Sequence, residues 1–192
     1  MYRRVLCYAG LAIAIPALLL ANSGHDPVSA NAVNYPQVKQ VRCAGGSGTA
    51  FKTERGWVSA AHVTSLFGCE IDGVPIGAEP EGSLDFSRLD YAGKGSGFKI
   101  NCEGFKPGTY TFAIGYAGGY TWQTMTRHLA TYKDTDDGFK LLLGAPTVIP
   151  GMSGGPILNE AGEVVGMVNM YSKMFPVSFS RALKDTSLCA KL

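Results

Sequence analysis

Apolar residues along this chain come in short runs, each closed by glycine, proline or acidic turn residues. Runs of this kind lie at residues 38–43, 48–52, 56–59, 85–90, 109–116, 139–143, 155–158, 164–170 and 177–180. They are rich in Val, Ile, Thr, Phe and Tyr, which suit a pleated, half-buried surface. The breaks carry turn residues: Glu54-Arg55-Gly56, Lys106-Pro107-Gly108, Asp136-Asp137-Gly138 and Glu160-Ala161-Gly162. Many short strands at such spacing predict a sandwich or barrels. Strand–helix alternation is missing, so a parallel α/β sheet is not expected. Helical periodicity is suggested only near the end, over residues 181–192.

The first thirty residues follow another pattern. Arg3 and Arg4 precede an uncharged run over residues 5–21, and small residues lead to Val28-Ser29-Ala30. This is the layout of an export signal, with cleavage after Ala30 or earlier, after Ser23. The other reading is an uncleaved membrane anchor. The seventeen residues of that run, at ~1.5 Å each, reach roughly 25 Å, short of a ~30 Å hydrocarbon core. Pro16 also interrupts them, and Cys7 lies too early for a lipoprotein attachment site. A secreted or periplasmic protein is expected, with a membrane anchor as the second choice.

Composition narrows the function classes. Of 192 residues, 46% are apolar and 17% charged, against about 25% charged in typical soluble domains. That excludes a mostly disordered chain. The net charge of +2 falls to +1 once the leader, with Arg3, Arg4 and Asp26, is removed. Nucleic acid is therefore not an expected partner, since its binding needs a strongly basic face. Loss of Cys7 leaves Cys43, Cys69, Cys102 and Cys189. An even number in an exported chain favours disulfides, and three pairings are open. The close pairs of a zinc site are missing, and neither a metal nor a cofactor is expected.

The strongest chemical signal is Gly151-Met152-Ser153-Gly154-Gly155-Pro156. Glycines around a serine expose its hydroxyl on a tight turn and let backbone N–H groups converge beside it. That suits a serine nucleophile with an oxyanion hole. The same residues fit the looser Gly-x-Ser-x-Gly of α/β-hydrolases, but that fold places its histidine after the serine. Here His25, His62 and His128 all precede Ser153. His25 falls in the leader. His128, in Thr126-Arg127-His128, reads as a surface residue. His62 closes Trp57-Val58-Ser59-Ala60-Ala61-His62, an apolar strand running into a small-residue turn.

Those two stretches, in that order, resemble the chymotrypsin/trypsin-like serine proteases. Residues 43–51 look like the strand before the family's histidine, and Gly166-Met167-Val168-Asn169 like the strand that receives the substrate backbone. The resemblance runs from about residue 38 to 182. It implies an all-β fold of two antiparallel six-stranded barrels with a short C-terminal helix. The implied domain spans residues 31–192, with one barrel over about 34–101 and the other over about 103–180. It also implies a His–Asp–Ser triad of His62, Asp85 and Ser153, with the N–H groups of Gly151 and Ser153 as the oxyanion hole. Asp85-Phe86-Ser87-Arg88-Leu89 fits the family's pattern, counted from its aspartate, at all five positions, and Asp90-Tyr91-Ala92-Gly93-Lys94 at three, so Asp85 is favoured over Asp90. The disulfides it suggests are Cys43–Cys69 and Cys102–Cys189.

The chain also departs from the family. Met152 stands where digestive members carry an Asp that pairs with a new N-terminus, so a trypsin-style activation switch is not expected. The compact bacterial and viral branches are more similar. Thr147 takes a position often at the floor of the specificity pocket, and Val168, Asn169, Met170 and Tyr171 would form its wall. Without an acid there, an apolar or small polar side chain is expected before the cut. Asn169 replaces the serine that usually bonds the triad Asp. The resemblance thus implies an exported, monomeric serine endopeptidase acting on polypeptides through an acyl-enzyme. A non-catalytic binding module on the same fold, or an esterase with the same triad, are the alternatives.

Overall fold

The chain is seen as a computed structural model that describes residues 31–104, 106–134, 140–143, 148–171 and 177–190. Side chains of residues 31–32, 132–134, 140–143, 170–171 and 177–179 are not among those described. The leader and Thr147 lie outside the described residues. The first strands are β1 (Asn31–Val33), β2 (Val38–Cys43), β3 (Gly46–Thr53) and β4 (Gly56–Ser59), followed by a one-turn helix α1 (Ala61–Thr64). Then come β5 (Glu70–Ile71), β6 (Val74–Pro75), β7 (Gly77–Pro80) and β8 (Ser87–Asp90). The second half holds β9 (Tyr110–Gly115), a 3-10 turn η1 (Ala117–Gly119), β10 (Gln123–Asp134) and β11 (Lys140–Leu143). It ends with β12 (Pro156–Leu158), β13 (Val164–Tyr171), β14 (Val177–Ala182) and a second 3-10 turn, η2 (Leu183–Asp185).

These strands make two antiparallel sheets, as the recurring short runs require. One has the order β6-β5-β2-β3-β4-β8-β7; the other is β1-β10-β11-β14-β13-β12-β9, with β9 also pairing β10. Among the described residues each sheet has seven strands, against the six expected in each barrel. In the second, the extra strand is β1, whose Asn31 faces Met125 on the outer side of β10. In the first, the two-residue hairpin β5–β6 adds to β2, and the order shows no return pairing among the described residues.

The β3 strand explains why the sheets stay together. Thr49, Ala50 and Phe51 are all fully buried, so both of its faces are covered. One face packs with Val38, Val41, Trp57 and Phe86. The other meets the glycine-rich loop of the second half, where the Thr49 N–H donates to the Ser153 carbonyl at 2.8 Å. Gln123 adds a second tie: its amide donates to the Tyr35 and Val38 carbonyls at 2.8 and 3.0 Å.

The tail behaves differently from expectation. β14 carries the chain as far as Ala182 in the sheet, paired with Gly166. Only η2 and a turn then fit before Cys189, so the expected C-terminal helix is a single 3-10 turn. Leu183 and Leu188 bury in the same cluster as Phe51 and Phe86. Cys102–Cys189 pins this tail, and Cys43–Cys69 closes the loop that carries α1. Both bridges match the pairing the resemblance suggested. Two disulfides are compatible with an extracellular or periplasmic location. Among the described residues no helix is long and apolar enough to cross a membrane.

His128 corrects a reading from its neighbours. It is 1% exposed, because β10 runs against the usual alternation: Thr124, Thr126, His128 and Ala130 point inward while Arg127 and Leu129 stay exposed. Its Nε2 lies 2.7 Å from the Thr126 hydroxyl. Burial pushes its pKa from 6.5 down to about 4, because the charged ring loses its hydration. The unfolded chain therefore binds this proton at higher pH than the folded chain does. Stability from the neutral ring is complete above about pH 6.5 and is lost as pH falls toward 4. The loss amounts to about 3 kcal/mol at ~1.36 kcal/mol per pKa unit. Urea denaturation of wild type and His128→Gln across this range checks it: the variant should show a flatter pH dependence, and an equal slope in both proteins would refute the assignment.

Candidate active site

Three loops converge where the sheets meet. The first follows β4, where Ala60 is extended and α1 begins at Ala61. The turn carries His62 at the surface, and Val63, only 3% exposed, anchors it below. The second loop enters β8. Asp85 was expected within a strand but sits just before it, with φ +49°. Aspartate is among the few residues that tolerate this region, and the buried Phe86 next to it fixes the turn.

This backbone aims the Asp85 carboxylate at His62 twice over. The His62 backbone N–H donates to Asp85 Oδ1 at 2.9 Å. The ring Nδ1 lies 3.0 and 2.9 Å from Oδ1 and Oδ2. Partial burial works to raise the Asp85 pKa. The hydrogen bonds from the His62 ring, the Asn169 amide and the His62 N–H outweigh it, and the net shift is downward from 3.8. The carboxylate is thus charged at neutral pH. Asp90, the other candidate, is exposed at the far end of β8 opposite Gly77.

The third loop is the glycine-rich one. Gly151 and Gly154 adopt φ of +95° and +83°, which only glycine takes without strain. A Cβ at Gly154 would strike the Thr49 carbonyl oxygen, and one at Gly155 the Ile114 carbonyl oxygen. The loop is held from β3: the Thr49 N–H donates to the Ser153 carbonyl and its hydroxyl to the Gly151 carbonyl, both at 2.8 Å. The carbonyls that share peptide units with the Gly151 and Ser153 N–H groups are those of Pro150 and Met152, which accept the Gly118 and Gly155 N–H groups at 2.6 and 2.9 Å. The two N–H groups point the opposite way and have no acceptor among the described residues. Met152 is fully buried beneath them.

Asn169 joins the second and third loops. Its Nδ2 donates to Asp85 Oδ2 at 2.7 Å and to the Asp85 carbonyl at 3.1 Å. Its Oδ1 accepts the Arg181 N–H at 2.7 Å. Its own carbonyl accepts the Ser153 hydroxyl at 3.0 Å. The β13–β14 register shifts between Val168 and Met170, so Asn169 occupies a bulge that re-aims it toward Asp85. No hydrogen bond joins Ser153 to the His62 ring here, as Asn169 takes the hydroxyl instead.

The expected specificity residues are placed only in part. Val168 is 1% exposed and packs with Met152 and Ile157 in the second core cluster, and Asn169 is fully buried against Asp85. Met170 and Tyr171 lie on β13, and Thr147 falls outside the described residues. A groove of about 330 Å³ borders His62, walled by Ala61, Ser65, Ala78 and Pro80 among others. The roles of Thr49 and Tyr116 were not foreseen. Tyr116 donates its N–H to the Thr49 hydroxyl at 3.1 Å; only contacts between distant segments reveal it. The arrangement offers an oriented imidazole, an ionised carboxylate, a hydroxyl on a fixed loop and two N–H donors without an acceptor among the described residues, the parts list for nucleophilic acyl chemistry.

Residues 99–167 match the family of trypsin-like peptidase domains. The fold is similar to that of an inactive-form mutant of Rv3671c from M. tuberculosis H37Rv, at 21% identity and TM-score 0.61, covering 77% of this chain and 81% of that one. It is similar to a serine endoprotease from Yersinia pestis, at 20% identity and TM-score 0.62, covering 77% and 58%. It also resembles the HtrA-type protease AlgW with tripeptide, at 19% identity and TM-score 0.66, covering 78% and 57%. No curated protein matches the chain in sequence.

If Asn169 holds down the Asp85 pKa, removing its amide must raise it. NMR titration of the Asp85 carboxyl should give the lowest value in wild type, a higher one in Asn169→Ala, and the highest in Asn169→Asp, where a second carboxylate faces the first. Identical values in all three would show that Asn169 does not tune Asp85.

Proposed function

We propose that this chain, whose residues 99–167 match trypsin-like peptidase domains and whose fold is similar to that of an HtrA-type protease, is an exported serine endopeptidase working through His62, Asp85 and Ser153. The observation that supports this most is the double grip of the Asp85 carboxylate on the backbone and ring of His62, beside a serine loop with two N–H groups that have no acceptor among the described residues. In this reading the Ser153 hydroxyl turns from the Asn169 carbonyl to His62. It attacks the scissile carbonyl as the His62 Nε2 takes its proton. Asp85 keeps Nδ1–H in place and stabilises the imidazolium. The oxyanion forms against the Gly151 and Ser153 N–H groups, where each donor is worth ~100- to 1000-fold in rate. His62 then passes the proton to the leaving amine, and water releases the acyl group by the same route.

Export rests on the leader at residues 1–30 and on the two disulfides. A monomeric state is part of the same proposal. One observation favours a second reading, a non-catalytic binding module: the Ser153 hydroxyl is bonded to Asn169 and not to His62. Catalytic hydrogen bonds are often unmade before substrate binds, so the enzyme reading is preferred.

A fluorophosphonate probe separates the two. The mature protein should take one label on Ser153 at neutral pH, Ser153→Ala should take none, and Asp85→Asn should label slower by on the order of 1000-fold or more. A folded wild type that stays unlabelled would rule out the enzyme.

A further inference from the structure

Two large aromatic side chains stand out on the surface. Tyr120 and Trp122 are 57% and 54% exposed, yet their rings stack in parallel, with centroids 4.4 Å apart and planes 11° from each other. Exposed aromatic surface of this kind marks contact sites more often than ordinary surface does. We propose that this pair is a docking platform for the part of a polypeptide substrate that follows the cleaved bond, and that it favours an apolar or aromatic side chain there. The proposal rests on the endopeptidase reading and adds a determinant of substrate choice.

The placement follows from what holds the pair. η1 leads into it and abuts the loop before Ser153: the Gly118 N–H donates to the Pro150 carbonyl at 2.6 Å, and a Cβ on Gly151 would strike the Tyr116 carbonyl. Gly119 lies against Ser47 at the start of β3, so close that a Cβ there would stand 3.2 Å from the Ser47 hydroxyl. From β2, the Gln40 amide donates to the Gly119 and Tyr120 carbonyls at 3.0 and 3.2 Å, and Arg42 holds Gln40 in turn at 2.9 Å. The platform is therefore fixed to the same strands that fix the serine loop.

Direction comes from the two flanks of Ser153. Its hydroxyl touches β13 through the Asn169 carbonyl, and its own carbonyl touches β3 through Thr49. A chain whose acyl half lies along β13 must leave across the β3 side, toward Ser47, η1 and the aromatic pair. A neighbouring groove of about 240 Å³, lined by Gln40, Arg42, Asp72, Tyr116 and Thr121 among others, continues this path. Stacked rings offer a flat apolar surface with little rotamer freedom to lose on binding.

Two readouts test the idea on the mature protein. Denatured casein serves as the polypeptide, with its cut sites mapped by mass spectrometry. Fluorophosphonate labelling of Ser153 reports the same site with a probe that has no residues beyond the bond. Wild type should favour apolar and aromatic residues within the first few positions after the cut. In Tyr120→Ala/Trp122→Ala that preference should fall about tenfold while the labelling rate stays within about twofold. Tyr120→Phe/Trp122→Phe should restore it. An unchanged preference in the alanine variant, or labelling that falls in step with it, would overturn the platform. A wild type that labels and cuts without any such preference would also overturn it, leaving the endopeptidase reading intact. A wild type that neither labels nor cuts would instead overturn that reading, and the platform with it.

Discussion

Everything at the candidate site depends on one buried threonine. Thr49 lies fully buried in the middle of β3, and its N–H and hydroxyl are engaged across the junction of the two sheets. Its N–H holds the Ser153 carbonyl, its hydroxyl holds the Gly151 carbonyl, and that same hydroxyl receives the Tyr116 N–H. Its own carbonyl accepts the Ser59 hydroxyl at 2.7 Å. In a dry interior each unmade bond would leave a polar group to bear its desolvation penalty, about 1–3 kcal/mol. The set therefore stays together. It fixes the peptide units that follow Gly151 and Ser153, whose N–H groups are spent on the Ile149 and Val168 carbonyls, and so holds the serine loop in one backbone course.

The opposite side of the serine loop has a matching anchor in Asn169. It is buried at a bulge of β13 and spends its amide on Asp85 and on β14. A serine at this position has one O–H to donate; the amide's NH2 donates to both the carboxylate and the carbonyl of Asp85 while its oxygen accepts from Arg181. The longer side chain thus ties the acid of one sheet to the backbone of the other. Loop and acid are held from two directions, by residues that touch neither the imidazole nor the solvent.

How far the sequence foretold this varies with the kind of force involved. β2 and β4 were legible to the residue, because their apolar runs end at Cys43 and Ser59 with turn residues beyond. The glycines around Ser153 were legible because their function is conformational and local. β10 was not. It is the longest strand among the described residues, but it buries Thr126 and His128 and exposes Leu129, so apolar periodicity pointed nowhere. The same inversion made His128 look like a surface residue. Asp85 was found through a motif, though its left-handed backbone, set by packing of Phe86, could not be read from the run of residues. Thr49 could not be singled out at all, since its partners across the junction lie 67 to 104 positions away in the chain.

The position of the Ser153 hydroxyl follows from the same division of labour. Its bond to the Asn169 carbonyl is one hydrogen bond, which a turn about χ1 exchanges for another of similar worth, ~1 kcal/mol net. Such rotor motions take picoseconds to nanoseconds. The costly arrangements are the ones already made: a left-handed aspartate and a carboxylate kept ionised in partial burial. Sheet packing and the Thr49 and Asn169 anchors sustain them whether or not a substrate is bound. What is left to a substrate is the cheapest degree of freedom in the site, which is how preorganised electrostatic sites keep reorganisation out of the reaction step.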